Sequence, residues 1–204
     1  MMRFCQLVIC LLAFMVNNVY AACSDYKLWA SVNEIYKESG NKKPAFFELK
    51  IGSTLPAEAN LSTWKVRVCY GNSICKDVLF TSTNLKVNGK YYYTDPSGDP
   101  EGLADYFDFK DGFDFSILDE NNDYVEYIRV DAGGDYLTGQ NTDFTAECGF
   151  DDLSYVHDIP ETNNGTVLLF RSEPDGTGPW QAEQNLSSQD TTAGQSNDGE
   201  AAFT

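Results

Sequence analysis

Oxygen-bearing side chains alternate in one turn-like segment, a spacing that calcium-binding loops use. Asp119, Asn121 and Asp123 occupy every second position, and carboxylate and amide oxygens placed in this way can converge on one Ca²⁺. An EF-hand loop also needs glycine at its sixth position and glutamate at its twelfth; here Tyr124 replaces the glycine and the glutamate is missing. We therefore keep these three residues as metal candidates for Ca²⁺, with a simple turn as the alternative, and expect no other cofactor.

Groups suited to catalysis are scarce in this sequence. His157 is the single histidine, and neither a G-x-S-x-G elbow nor an H-E-x-x-H pair is present, so the parts for base-activated nucleophilic chemistry are missing. Asp and Glu total 31, and in so acidic a chain some carboxylates lie close by chance, which weakens a glycosidase interpretation. We predict no catalytic residues. A small secreted β-sandwich hydrolase is the alternative, and convergent titratable groups in a cleft would distinguish it.

Size and charge limit the remaining classes of function. The 204 residues suffice for one packed domain and leave little room for a second. The formal net charge of −17 repels phosphate and anionic lipid. This excludes binding to nucleic acid or to a bilayer surface by non-specific electrostatic attraction. Aromatic residues make up 14% of the chain, enough to build a core. The expected partner is a protein or a glycan on the cell surface or in the extracellular matrix.

Residues 1–21 are predicted to be a secretory signal peptide. A short basic start is followed by an apolar run from Phe4 to Val16, and Ala21 is a small residue at the cleavage boundary. The apolar run is too short to span a bilayer, and no later stretch is as hydrophobic. Lipidation at Cys23 is the alternative route of processing. We expect a secreted protein, located outside the cell, on its surface or in the periplasm, without a stable membrane span.

The cysteines that follow the signal peptide are Cys23, Cys69, Cys75 and Cys148, an even number in a compartment that permits disulfides. Three pairings are possible in principle. Cys69 and Cys75 bracket a turn-rich segment, which favours a local disulfide across a hairpin and leaves Cys23 to pair with Cys148. Metal binding by the four thiolates is the alternative, but the paired C-x-x-C spacing of zinc sites is missing.

Apolar residues recur with period two along the chain after the signal peptide. Trp64 shares one face with Val66 and Val68, while Lys65 and Arg67 take the other, which predicts a strand with Trp64 in the core. Several further short runs alternate in the same way, and no convincing long amphipathic helix interrupts them. Regularly spaced short strands of this kind favour an all-β sandwich.

Turn residues and composition set the expected boundaries. Asn88-Gly89 lies between two short strand-like runs and predicts a tight hairpin turn. From Gln181 onward the chain is almost devoid of apolar residues and cannot bury enough surface to offset the entropy of ordering. We therefore place the sandwich domain at 22–180 and a flexible polar tail at 181–204.

Two aromatic stretches have both a structural and a functional interpretation. Tyr91–Tyr93 and Trp180 could form a platform for a sugar or a protein, although such aromatic residues more often serve in cross-strand packing. Four aspartates alternate with four phenylalanines, a pattern that indicates strands with one acidic face more than a cation site: Asp105, Asp108, Asp111 and Asp114, with Phe107, Phe109, Phe113 and Phe115.

Five segments follow one another in an order that a known domain family shares: Val32-Asn33-Glu34-Ile35, Phe46-Phe47-Glu48-Leu49, Leu61-Ser62-Thr63-Trp64, Phe115 to Asn122 with Val125-Glu126-Tyr127, and Arg171 to Trp180. Thr192 to Asn197 is similar to the terminal T-P-G-x-x-N segment of the same family. Over roughly residues 30–197 the chain therefore resembles the lamin tail domain family. The resemblance implies an immunoglobulin-like β-sandwich without catalytic residues. The segment from Arg171 to Trp180 is similar to bacterial secreted members, some of which belong to mannose-sensitive haemagglutinin pilus systems. The expected function is therefore a secreted or surface interaction module, associated with a pilus or with adhesion.

Overall fold

The computed structural model describes residues 23–27, 29–38, 45–52, 56, 58–70, 74–107, 109, 112–130, 148, 155–156, 167–171, 180–184 and 194. Nearly all of the regular secondary structure in the described part of the chain is β-strand, and turns and loops connect the strands. In chain order the strands are β1 (Ala30–Lys37), β2 (Ala45–Ile51), β3 (Lys65–Tyr70), β4 (Ile74–Leu79), β5 (Lys86–Asn88), β6 (Tyr91–Tyr93), β7 (Phe113–Leu118), β8 (Tyr124–Val130), β9 (Tyr155–Val156), β10 (Val167–Arg171) and β11 (Trp180–Gln184). A short 3-10 turn, Leu61–Thr63, precedes β3.

The strands form two sheets that pack face to face. The six-stranded sheet has the order β11-β10-β1-β2-β6-β5, and the five-stranded sheet has the order β4-β3-β7-β8-β9. Neighbours pair antiparallel, except for the parallel pair β8 and β9. The all-β sandwich expected from the sequence is therefore confirmed at the level of its architecture.

The core between the sheets follows the period-two pattern. Trp64, Val66 and Val68 are completely buried, whereas Lys65 and Arg67 on the opposite face of β3 are partly exposed. Trp64 lies in contact distance of two other rings, Tyr26 at 5.4 Å and Phe80 at 6.1 Å between centroids, and its Nε1 donates to a carboxylate oxygen of Glu120 at 3.0 Å. The predicted face assignment of Trp64 is confirmed.

The phenylalanines of the acidic stretch belong to this core. Phe107, Phe109, Phe113 and Phe115 are buried, and the rings of Phe107 and Phe113 lie 5.2 Å apart. The interleaved Asp105 is exposed, and Asp108 and Asp111 lie outside the described residues. The alternation in this stretch therefore serves to pack the sandwich.

The predicted hairpin exists, but its turn lies one residue later than expected. Asn88 is the last residue of β5 and pairs with Tyr91 of β6, so Gly89 and Lys90 are the two central residues of the turn. Gly89 has a φ of 59°, as the first central position of a type II′ turn requires.

A buried ion pair joins the two sheets through the core. Arg171 of β10 donates from Nη2 to Glu126 of β8 at 2.8 Å and from Nε to the carbonyl oxygen of Val32 at 3.0 Å. The second carboxylate oxygen of Glu126 accepts from the Val32 N–H. β1 contains a bulge between Val32 and Glu34. Because a bulge interrupts the ladder of backbone hydrogen bonds locally, the side chains of Glu126 and Arg171 supply the hydrogen-bond partners of the Val32 backbone.

The boundary expected between residues 180 and 181 is wrong in the structure. β11 spans Trp180–Gln184 and pairs along its whole length with β10, so residues 181–184 belong to the six-stranded sheet. Backbone pairing with β10 does not depend on side-chain type, so the polar residues Gln181, Glu183 and Gln184 belong to a strand although their composition predicted a tail. Trp180 also packs over the guanidinium of Arg171 at 4.7 Å. Residue 194, also expected in the tail, is buried.

Replacing Trp64 with alanine should destabilise the protein by about 3–5 kcal/mol, because the large cavity left among Tyr26, Phe80 and the sheet residues cannot close fully. The free energy of unfolding from denaturant titration measures this change. A loss under about 1 kcal/mol, typical of a surface substitution, would contradict the core position of Trp64.

Arg171→Met should lower the free energy of unfolding by about 3–5 kcal/mol, since it leaves a buried carboxylate and a backbone carbonyl without their donor. Arg67→Met is the matched control, because Arg67 pairs with Asp77 at 2.7 Å on a partly exposed face. Such an exposed pair contributes at most about 1 kcal/mol. Equal losses of unfolding free energy in the two variants would show that the inter-sheet ion pair stabilises the protein no more than an exposed ion pair does.

Candidate functional site

Glu126 has a carboxyl pKa that is shifted upward into the range of a general acid or base. Burial raises the pKa of Glu126 to about 7, against the opposing effects of Arg171 and the Val32 N–H. Such a shift often marks a catalytic residue. Here, however, the side chain is 3% exposed, and both of its oxygens accept hydrogen bonds from the protein. A substrate therefore has no access to this carboxyl group, and its position supports a structural role.

Asp114 belongs to a second buried polar group, on the outer face of the five-stranded sheet. Its Oδ1 accepts from the Tyr127 hydroxyl at 2.7 Å and from Arg129 Nε at 3.3 Å. Burial raises the pKa of Asp114 although both partners oppose the shift, and it raises the pKa of Tyr127 as well. Arg129 is 2% exposed. Because the donors already engage the carboxylate, this group ties β7 to β8 across the sheet.

The calcium candidates form a turn between β7 and β8. Asp119 is buried, and its Oδ1 accepts from the backbone N–H groups of Asn121 and Asp123 at 2.8 and 3.0 Å. Its Oδ2 accepts from the Ser24 hydroxyl at 2.6 Å. Asn121 is exposed and Asp123 half-buried. The structure thus explains the spacing by an Asp-stabilised turn, and the described residues contain no group of three His, Cys, Asp or Glu side chains placed to hold a metal ion.

The described residues contain two disulfides, and these are the pairs that the sequence favoured. Cys69 and Cys75 face each other directly across β3 and β4, with 4.0 Å between their Cα atoms. Cys23 is joined to Cys148 over a separation of 125 residues, and Cys148 is buried against Tyr127. The first disulfide fixes the end of an edge strand, and the second fixes residue 148 over the outer face of the five-stranded sheet.

Among the described residues, one side of the sandwich combines an outermost strand of each sheet with exposed apolar side chains. β4 and β5 are the end strands of their sheets. They border the same side, because Phe80, which directly follows β4, packs on Tyr92 of β6 at 5.4 Å between ring centroids. In the part of the chain that the structure describes, the exposed large hydrophobic residues are Ile74 at 57%, Leu79 at 51% and Val87 at 56%. All three lie on β4 or β5, and we call this side the β4/β5 edge.

The β4/β5 edge also carries charged and aromatic groups. Lys86 pairs with Asp95 at 2.8 Å, and this pair with the Ser97 donors holds the pKa of Asp95 well below its usual range. Tyr91–Tyr93 are half-buried in the adjacent β6, with Tyr92 on the core side and Tyr93 packed on the outer face. The aromatic platform suggested by the sequence is therefore used mainly for packing. The sequence alone does not reveal the β4/β5 edge, because the local alternation of apolar and polar residues does not show whether Ile74 or Val87 is exposed.

His157, the single histidine, lies outside the described residues. Trp180, the other aromatic candidate, is half-buried beside Arg171. None of the helical segments that the structure describes is both long and apolar enough to cross a membrane.

Comparison with known proteins gives no relative from which a function could be transferred: no family model, curated protein or solved structure matches this chain. The likeness to lamin tail domains therefore rests on the sequence motifs alone. The functional inference has to come from the geometry of the described residues.

The stability of the protein should fall as the pH rises from about 4.5 to about 7, because the folded state holds the Glu126 proton more tightly than the unfolded chain does. The full contribution is present below pH 4.5 and is lost above the folded pKa. Glu126→Gln, which mimics the protonated carboxyl group, should reduce this slope. Denaturant unfolding at several pH values measures both proteins, and identical slopes would exclude Glu126 as the group responsible.

Proposed function

We propose that the chain is a non-catalytic interaction module that binds a protein partner through the β4/β5 edge. The observation that carries the proposal is the concentration of Ile74, Leu79 and Val87 on two end strands at one side of the sandwich. The outermost strand of a sheet presents backbone N–H and C=O groups that can pair with another chain, and neighbouring apolar side chains favour such pairing.

The binding mode that fits this edge is addition of an extended peptide as a further strand. In that mode the backbone hydrogen bonds supply affinity, and contacts with alternate side chains supply specificity. β4 offers six residues with Ile74 and Leu79 at its two ends, which matches the length of a short peptide strand. Lys76 and Asp77 between them would set the polar preference of the partner.

The proposal extends to the type of sandwich and to where the protein acts. We infer an immunoglobulin-like sandwich of the lamin tail domain type, secreted or held at the cell surface, with a pilus- or adhesion-associated role. The five sequence segments, which follow the order found in the lamin tail domain family, support the proposed type of sandwich. The two disulfides support the proposed location, because such bonds persist mainly in oxidising compartments. The acidic surface charge of the chain favours partners that are neutral or basic.

A hydrolase is the weaker alternative. The buried carboxyl groups with raised pKa, Glu126 and Asp114, are both engaged by arginine and backbone or hydroxyl donors. We therefore expect the purified protein to act by binding, without turnover of ester, peptide or glycoside substrates. A glycan partner would instead contact the half-buried tyrosines of β6.

Leu79→Lys and Val87→Lys should abolish capture of a protein partner from the native secretome by the immobilised chain. Both side chains are exposed, so folding should be unaffected, with thermal unfolding within a few degrees of the unsubstituted protein. Asn121→Lys, in the exposed turn before β8, is the control with the same added charge. Hydrogen exchange should show that β4 or β5 amides become protected in the complex.

Unchanged capture by both edge variants would contradict the proposed site. Loss of capture by the Asn121 control as well would mean that added positive charge, and not the edge, decides binding. A hydrolytic activity that disappears on changing one carboxylate, in a variant that still folds, would favour the hydrolase alternative.

A further inference from the structure

The outer face of the six-stranded sheet buries a carboxylate at its centre. Glu48 of β2 points away from the core yet is 0% exposed. The bulge in β1 places Asn33 and Glu34 together opposite Glu48, and Asn33 donates from Nδ2 to its Oε1 at 2.8 Å. A buried carboxylate is costly unless donors surround it, so the groups that approach Glu48 define what this face is built to hold.

A second donor to Glu48 comes from a residue far away in the sequence. The backbone N–H of Gly194 donates to Glu48 Oε2, across a separation of 146 residues. The carbonyl oxygen of Gly194 accepts from Asn88 Nδ2 at 2.7 Å. Both polar backbone groups of this one residue are therefore recognised by side chains of the same sheet, from β2 and β5.

The geometry at residue 194 admits only glycine. Its φ is 76°, in the left-handed region that L side chains rarely adopt. A Cβ there would lie 2.8 and 2.9 Å from Cε1 and Cζ of the Tyr93 ring, closer than carbon atoms approach. Tyr93 packs against the buried cluster of Tyr36, Phe46 and Leu168, which limits how far its ring can move aside.

We propose that Glu48, Asn88 and Tyr93 form a glycine-selective anchor site that binds Gly194 of the same chain and fixes that point of the C-terminal part to the outer face of the six-stranded sheet. The ligand is the backbone of a glycine residue, whose N–H donates to the Glu48 carboxylate and whose C=O accepts from the Asn88 amide. The site shares strand β5 with the β4/β5 edge through Asn88, but it does not rest on the proposed partner binding, because Leu79 and Val87 do not contribute to it.

Hydrogen exchange of the full-length protein tests the anchor at the amide of residue 194. In the unsubstituted chain this amide should exchange at least tenfold more slowly than an unstructured one. Gly194→Ala should remove the protection, after correction for the intrinsic rate of alanine. Gly102→Ala is the matched control, because Gly102 has a φ of 66° and a Cβ at that position would meet nothing within 4 Å; this variant should leave the protection at residue 194 unchanged.

Two further variants keep the test decisive if Gly194→Ala does not fold. Asn88→Ala removes one donor at an exposed position and should speed exchange at residue 194 severalfold. Glu48→Gln keeps the shape but can accept only with its single carbonyl oxygen, so it should also reduce protection. Protection that survives in all folded variants would overturn the anchor site. A dimer that exchanges this segment between copies, detected by light scattering, would overturn binding within one chain.

Discussion

The inter-sheet ion pair between Glu126 and Arg171 is the interaction on which the relative placement of the two sheets depends. It crosses the core and also serves the backbone of Val32 at the β1 bulge. The bulge in turn places Asn33 and Glu34 on the outer face opposite Glu48. The bulge in β1 thus links the ion pair between the sheets to the buried carboxylate on the outer face of the six-stranded sheet.

Three carboxylates that the fold shields from water are each engaged by specific donors. Glu126 has Arg171 and a backbone N–H, Asp114 has Tyr127 and Arg129, and Asp119 has two backbone N–H groups and Ser24. The raised pKa values of Glu126 and Asp114 are caused mainly by desolvation. A carboxylate whose oxygens accept hydrogen bonds from neighbouring strands stabilises one arrangement of those strands.

The outer faces of the sandwich and its β4/β5 edge differ in the side chains that they expose to solvent. The outer faces hold buried polar groups and the Gly194 contact, whereas the β4/β5 edge leaves Ile74, Leu79 and Val87 in solvent. The Cys69–Cys75 disulfide lies on the outward side of the same edge strand, where it restrains fraying next to the exposed apolar residues. A rigid edge loses little conformational freedom when a further strand pairs with it, so the entropic cost of such pairing is small.

The sequence by itself determined the all-β class, the core face of Trp64 and the favoured cysteine pairs, because alternation and short-range spacing are local properties. It also located the turn at Asp119, although it left calcium open. The ion pair of Glu126 with Arg171, strand β11, the β4/β5 edge and the contact of Glu48 with Gly194 were decided only by the tertiary structure. Each depends on which strands become neighbours, and period-two alternation specifies the face of a residue but never its partner across 45 or 146 residues.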